Sequence, residues 1–396
     1  MDYLRRSWAQ IDLDAIKANY HELKKQVSAA CKTMAIVKAD AYGHGDGYVS
    51  RALQEEGADW FGVSNINEAV SLRRQGITKP ILILGFTPPA LAGKLAAQNI
   101  TQTVYSLDYA QELSKEAVKQ QVKVNCHVKV DTGMSRIGFF AQSGHGEQAA
   151  QEIARTARLP GLSCTGIFTH FSCSDETAVS SREFTRRQFN IFMDTIGRLK
   201  NQDILFELHH CCNSAGVICY PQMHLDMVRL GNALYGLDPS DDCKGMIKLV
   251  PAMSLYTTVT MVKQVQQGAQ VSYGRRYTAQ EGEAVASLAI GYADGYRRNL
   301  SNKGRVILHG QYAPIIGTVC MDQTMVDVTG IEGVASGDTV TLVGEENGKK
   351  VTLDDFAKIN GTINYEEACL IGRRVPRVYI QGGKEVAAVD YIIQNF

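Results

Sequence analysis

A chain of 396 residues is long enough for two domains and a large apolar core. Its 41 basic and 41 acidic residues cancel and no charge block stands out, which argues against a dedicated nucleic-acid or polyanion surface. The opening residues carry no apolar segment, and no later apolar run approaches the ~18 residues that span a membrane, so a cytoplasmic protein is expected.

In chain order, Ile11 to Leu13 reads as a strand, and Asp14 as the cap of a helix with Ile16, Tyr20, Leu23 and Val27 on one face. The apolar run Met34–Val37 then ends on Lys38 and passes through Tyr42 into a Gly-rich turn, with a helical pattern from about Asp46. A lysine leaving a strand for a loop that feeds a helix lies at the carboxyl end of a sheet, where α/β folds hold ligands. Partly dried, such an amine can attack a carbonyl. Taken alone, Lys38 reads more readily as a snorkelling surface residue.

Further strands are expected at Trp60–Ser64, Ile81–Gly85, Thr103–Tyr105, Val122–Val130, Cys164–Thr169, Leu205–His209 and around Met227–Tyr235. Helical stretches alternate with them at Gly47–Glu56, Asn67–Gln75, Ala90–Gln98, Asp108–Gln120, Glu147–Arg158 and Glu183–Lys200. About eight βα units in about 230 residues is the arithmetic of a (β/α)8 TIM-type barrel. A doubly wound sheet is the alternative, but no Gly-x-Gly-x-x-Gly follows the first strand. In Val122–Val130 the valines and Cys126 alternate with Lys123, Asn125, His127 and Lys129. If the apolar set packs under the helices, Lys129 points into the barrel mouth near Arg136, and two cations there call for an anion.

The texture changes near Pro239–Asp242. Short strands rich in Val, Thr and Ile follow at Ala252–Val265, Glu283–Ile290, Arg305–Leu308, Ala313–Asp327 and Thr339–Val343, broken by glycine turns. The expected division is a barrel over residues 1–240, whose first ten or so residues can pack with the other domain, and a mostly β domain over 241–396. Ten cysteines are scattered without a Cys-x-x-Cys pair, so neither a metal site nor a disulfide framework is expected.

The segment Val-Lys-Ala-Asp-Ala-Tyr-Gly-His-Gly, residues 37–45, resembles the cofactor-lysine motif of the alanine racemases. That resemblance, followed over some 360 residues, implies pyridoxal 5'-phosphate (PLP) held as a Schiff base on Lys38. Val-Asp-Thr-Gly-Met-Ser-Arg, 130–136, is similar to the segment whose arginine, here Arg136, donates to the cofactor's phenolic oxygen near the substrate carboxylate; read alone it is an ordinary polar turn. The lysine before it is often carbamylated in the family, which marks Lys129. Phe-Thr-His-Phe places His170 in the network around the second base. His-His-Cys-Cys-Asn-Ser, 209–214, resembles the phosphate segment and assigns Ser214, with His210 four before it; Cys211 and Cys212 are unusual there. Met-Val-Arg-Leu-Gly, 227–231, implies Arg229 at the pyridine nitrogen and the Gly231 backbone near the phosphate.

In the second half, Val-Ser-Tyr-Gly, 271–274, implies Tyr273 as the second catalytic base opposite Lys38. By itself Tyr273 is a strand aromatic, and near pKa ~10 it is a poor base unless neighbours lower it. Tyr292 and Tyr365 correspond to residues narrowing the access channel, with Tyr365 and Tyr42 also reaching the phosphate. Met321, beside Asp322, corresponds to the residue whose N–H binds the substrate carboxylate. The resemblance implies a homodimer sharing its active sites through Tyr273 and Met321, the substrate L- or D-alanine, and D-alanine for peptidoglycan as the product, with no nucleic-acid or membrane partner. The rival readings are a serine or broad small-amino-acid racemase, to which Cys173 is relevant, a PLP-barrel decarboxylase, which Arg229 opposes, and a PLP-binding regulatory protein without turnover, which Tyr273 and the second domain oppose.

Overall fold

The computed structural model describes residues 3–393. Eight parallel strands form the first unit: β1 Lys32–Ile36, β2 Trp60–Val63, β3 Ile81–Ile83, β4 Ile100–Val104, β5 Val124–Asp131, β6 Leu162–Phe168, β7 Leu208–His210 and β8 Met227–Leu230. They pair in sequence order and β8 pairs back onto β1, with Arg229 beside Met34. Between β7 and β8 the backbone bonds Asp226 N–H to His209 O (3.2 Å) and Arg229 N–H to Cys212 O (3.0 Å) complete a TIM-type barrel.

Helices connect the strands, and their sequences explain them. Asn65 accepts from the N–H groups of Asn67 and Glu68 at the start of Ile66–Arg74, and Ser106 accepts from Tyr109 N–H at the start of Leu107–Lys119. In the latter, Tyr109, Ala110, Leu113, Ser114 and Ala117 are buried at three- and four-residue spacing, the stripe a barrel helix turns inward. The strand expected at Thr103–Tyr105 runs instead over Ile100–Val104: its centre, Thr-Gln-Thr, lacks an apolar pattern yet is buried, with Gln102 Nε2 donating to the carbonyls of Gly85 and Thr103, both at 2.8 Å. Asp12, not Asp14, caps the first helix, Leu13–Lys24, by accepting from Ala15 N–H at 3.0 Å.

Among the described residues, the second unit holds residues 3–15, the short segment Tyr42–Gly45, and residues 251–393. Its centre is the long strand Met253–Gln264, antiparallel to Ser7–Asp12, Thr339–Glu346 and Ala284–Leu288. Ser7–Asp12 also pairs in parallel with Arg377–Gln381. The run Ala313–Asp327 is two strands, Gln311–Pro314 and Thr324–Asp327, divided by a turn closed by Cys320 N–H on Gln323 O at 2.9 Å. Two helices that the sequence pattern did not suggest, Leu353–Asn360 and Asn364–Cys369, follow the sheet. Gly43 belongs here for a steric reason: its φ is +80°, and a Cβ would come within 2.3 Å of the Ala368 carbonyl oxygen. Among the described residues no helix is long and apolar enough to cross a membrane.

Candidate active site

Lys38 leaves the carboxyl end of β1 half-buried. Beyond it Ala39, Asp40, Ala41 and Tyr42 all hold φ between 53° and 55°, a left-handed turn built without glycine. Such a turn brings each Cβ against a carbonyl oxygen and persists only where surroundings impose it. Here the Glu68 carboxylate accepts from Ala39 N–H (2.9 Å) and Ser64 N–H (2.6 Å), and Asp40 accepts from Asp46 N–H (2.9 Å). Glu68 was not singled out from the sequence; it stands three after the cap Asn65, where a capping-box acid belongs, but spends its carboxylate on the lysine turn instead.

Lys129, on β5, is 4% exposed, and its Nζ lies 5.6 Å from the Phe168 ring centroid. Burial first, then the charges of Arg136 and Arg229, push its amine down to about 7; Lys38 adds to this and Asp131 opposes it. The Asp131 carboxylate is itself committed: Oδ1 accepts from Gly133 N–H (3.0 Å), Ser135 N–H (2.9 Å) and Gln142 (3.2 Å), which shapes the loop presenting the exposed Arg136. Lys38, Lys129, Arg136 and Arg229 thus share one mouth with a single committed carboxylate acting on Lys129, an arrangement suited to anionic groups.

Arg229, on β8, is buried. Its Nη2 donates to the carbonyls of Thr169 and Cys211, both at 2.9 Å, and lies 3.2 Å from His170 Nδ1; its Nη1 lies 2.9 Å from His210 Nδ1. Burial holds the guanidinium down at about 10, still protonated at neutral pH. An arginine can only donate, so both histidines accept through Nδ1 and carry their proton on Nε2. Burial and the surrounding cations keep His170 and His210 well below the ordinary imidazole range, hence neutral.

Ser214 opens the helix Ser214–Cys219, which Asn213 caps by accepting from Gly216 N–H at 2.9 Å. Gly231 N–H donates to Ser214 Oγ at 2.8 Å, so the two expected phosphate contacts are joined, and the hydroxyl proton is left to point elsewhere. Cys211 and Cys212 place their thiols on the Met223 carbonyl, at 3.0 and 3.3 Å, and serve Arg229 through their own carbonyls. Cys173 is committed to the Ser181 carbonyl at 3.4 Å.

In the β unit, Tyr42 and Tyr365 meet edge to face with ring centroids 6.4 Å apart, and burial raises the Tyr42 phenol. Tyr273, Tyr292 and Met321 stand on connected loops. Thr318 Oγ1 donates to Tyr273 O at 2.8 Å, Tyr292 N–H to Cys320 O at 3.0 Å, and Ala293 N–H to Met321 O at 3.1 Å. Their side chains are 71%, 44% and 52% exposed, unusual for a tyrosine pair and a methionine held by so ordered a frame. Buried Asp294 organises these loops. It accepts from Gly291 N–H and takes Arg6 bidentately at 2.9 and 2.8 Å, with Arg374 at 3.3 Å and Asp322 on the far side of that arginine at 2.7 Å.

Residues 11–239 match the family model described as alanine racemase, N-terminal domain, and residues 252–379 that of its C-terminal domain. Alanine racemase 2 of Caldanaerobacter subterraneus subsp. tengcongensis is 42% identical over 391 residues, 99% of each chain. The alanine racemase structure from Clostridium difficile 630 superposes with a TM-score of 0.92 at 38% identity, covering 99% of this chain and 100% of that one. That from Bacillus anthracis, solved with bound L-Ala-P, gives 0.93 at 34% identity with both chains fully covered.

Proposed function

Because this chain belongs to the alanine racemase family and is an isomerase of that kind, we propose that it interconverts L- and D-alanine with PLP and two proton-carrying side chains. The residues present fit that cofactor. Among the described residues Arg229 Nε donates to no protein group, the Ser214 hydroxyl has its proton to give, and the mouth carries surplus positive charge. When bound, PLP supplies an electron sink that acidifies the α C–H of an attached amino acid. Lys38 would hold it, Arg229 would face its ring nitrogen, and Ser214, Gly231, Tyr42 and Tyr365 would hold its phosphate. A protonated arginine there would leave that nitrogen unprotonated and the sink weak, which would favour simple proton exchange over side reactions.

In this reading Lys38 Nζ carries the proton on one face and Tyr273 Oη on the other. His170, whose Nδ1 accepts from Arg229, has its Nε2–H left to give. Arg136 and the Met321 N–H would hold the substrate carboxylate, while Tyr292 and Tyr365 restrict the side chain to a small one. Neutral Lys129 is the form that attacks CO2, its nitrogen bonding to carbon as one proton leaves; the carbamate so made would supply the anion beside Arg136. The exposed Tyr273 and Met321 support a homodimer in which each chain completes its partner's site. The product D-alanine would feed peptidoglycan, and the enzyme would act in the cytoplasm.

The observation that carries this reading is the buried Arg229 held between two neutral histidines at the lysine-bearing mouth. The test gives the purified protein with PLP either L-alanine or L-serine in D2O and follows chirality and α-deuterium. Fast inversion of alanine with slow inversion of serine is expected. Comparable rates would make it a broad small-amino-acid racemase, and cofactor bound without exchange or inversion would refute the assignment.

A further inference from the structure

His210 touches a second buried histidine that the proposed reaction does not use. Its Nε2 lies 3.0 Å from His127 Nδ1, on β5, while its Nδ1 faces Arg229 at 2.9 Å. Donor chemistry fixes the direction of this chain. The guanidinium has only N–H groups, so His210 Nδ1 accepts and its single proton sits on Nε2; that N–H donates to His127, whose proton must then also sit on Nε2. Protonating either ring fully would set two N–H groups against each other. Burial agrees, holding His127 down at about 3.

The ring of His127 is fixed from both sides. Trp60 packs at 5.0 Å between centroids, and Gly166 lies so close that a Cβ there would come within 2.6 Å of three ring atoms. Yet His127 Nε2 is buried with no hydrogen-bond partner among the described residues. An interior N–H left unmatched is costly, and a leucine or phenylalanine would fill the space without it. The cost is explained if Nδ1 is what the site needs.

We propose that His127 is a positioning residue: by accepting from His210 Nε2–H it holds that ring with Nδ1 toward Arg229 and, through it, the orientation of the Arg229 guanidinium. This rests on the reading that Arg229 faces the cofactor ring. Without an acceptor at position 127 the His210 Nε2–H is buried and unmatched, and the ring turns toward another acceptor, drawing Nδ1 off Arg229 Nη1 and loosening the guanidinium.

The test labels the PLP-loaded protein with [15N]histidine and reads each tautomer from two-bond 1H–15N correlations, with His127→Asn and His210→Gln assigning the signals. Both rings should be neutral and Nε2-protonated from roughly pH 6 to pH 9. In His127→Leu the His210 ring should keep its Nε2 proton while both its nitrogen resonances shift as the ring leaves its partners, the absorption band of bound PLP should move, and kcat for alanine should fall about tenfold or more. His127→Asn, whose amide oxygen can accept from His210, should restore the His210 resonances and most of the rate. An Nδ1-protonated or doubly protonated ring at either position in the unsubstituted protein overturns the proposal, even if His127→Leu fails to fold. Equal losses in the Leu and Asn variants with unchanged His210 nitrogen resonances overturn it too. Tautomers are read without turnover, so a protein that failed to racemise alanine would refute the function while leaving this result standing.

Discussion

Replacing Glu68 by alanine tests whether the left-handed turn after Lys38 is held by one side chain. Four residues with φ near +53° each carry roughly 1–2 kcal/mol of strain, on the order of 5 kcal/mol together. Against this, Glu68 accepts from Ala39 N–H and Ser64 N–H, and hydrogen bonds to a charged group contribute about 1.5–3 kcal/mol each. Ala39 and Ser64 are exposed, so water takes over much of the carboxylate's role, and a net local loss of about 2 kcal/mol is expected. The barrel core does not depend on these bonds, so Tm should change little. Titration of PLP into apoprotein, followed by absorbance, should show Kd raised about 30-fold. Glu68→Gln, which keeps an acceptor but loses the charge, should fall between. A Glu68→Ala protein binding PLP within about threefold of the parent, with kcat unchanged, would show that the carboxylate does not hold the turn.

Tyr273→Phe should bind PLP normally and lose racemisation while still exchanging the α-proton of one alanine enantiomer in D2O; loss of exchange from both enantiomers would remove Tyr273 from its one-sided role. Arg229→Leu leaves two buried carbonyls and two imidazole nitrogens without their donor, so urea unfolding should show a loss of about 3–6 kcal/mol, and a loss under about 1 kcal/mol would mean water replaces the guanidinium. Lys129 gives a pH signature. Its amine is depressed to about 7 when folded and ordinary when unfolded, so the unfolded chain binds more protons between about 7 and about 10. Stability relative to Lys129→Met should therefore rise with pH across that window, by up to ~1.4 kcal/mol per unit, and level off below it. A flat difference would indicate that the amine is not free in solution, and 13C-bicarbonate labelling would then detect the carbamate.

The barrel was legible because most of its strands are short apolar runs separated by amphipathic helices, and the departures have local causes. Leu205, expected to begin β7, is 73% exposed, and the strand starts at Leu208 where burial does. The last strand ends at Leu230 because Gly231 turns its N–H onto Ser214. The left-handed turn had no signature, since its two alanines favour a right-handed helix and are overridden by Glu68, 29 positions from Ala39, together with Asp40 on the Asp46 N–H.

The residues that would touch cofactor or substrate are legible for a chemical reason: each stands in a short segment whose neighbours must also be right, such as the glycines after Lys38 or the asparagine before Ser214. The residues that hold them have no such segment. Alternation along Val122–Val130 put His127 on the same face as Lys129 and so inside the barrel, which is as far as one strand can speak. Its partner lies 83 positions on, in a different strand, and only the closed sheet brings the two rings to 3.0 Å. A histidine whose one nitrogen is bonded and whose other is buried without a partner cannot be told, in sequence, from one that merely fills space. The structure separates them because an unmatched interior N–H has to be offset by what the opposite nitrogen does.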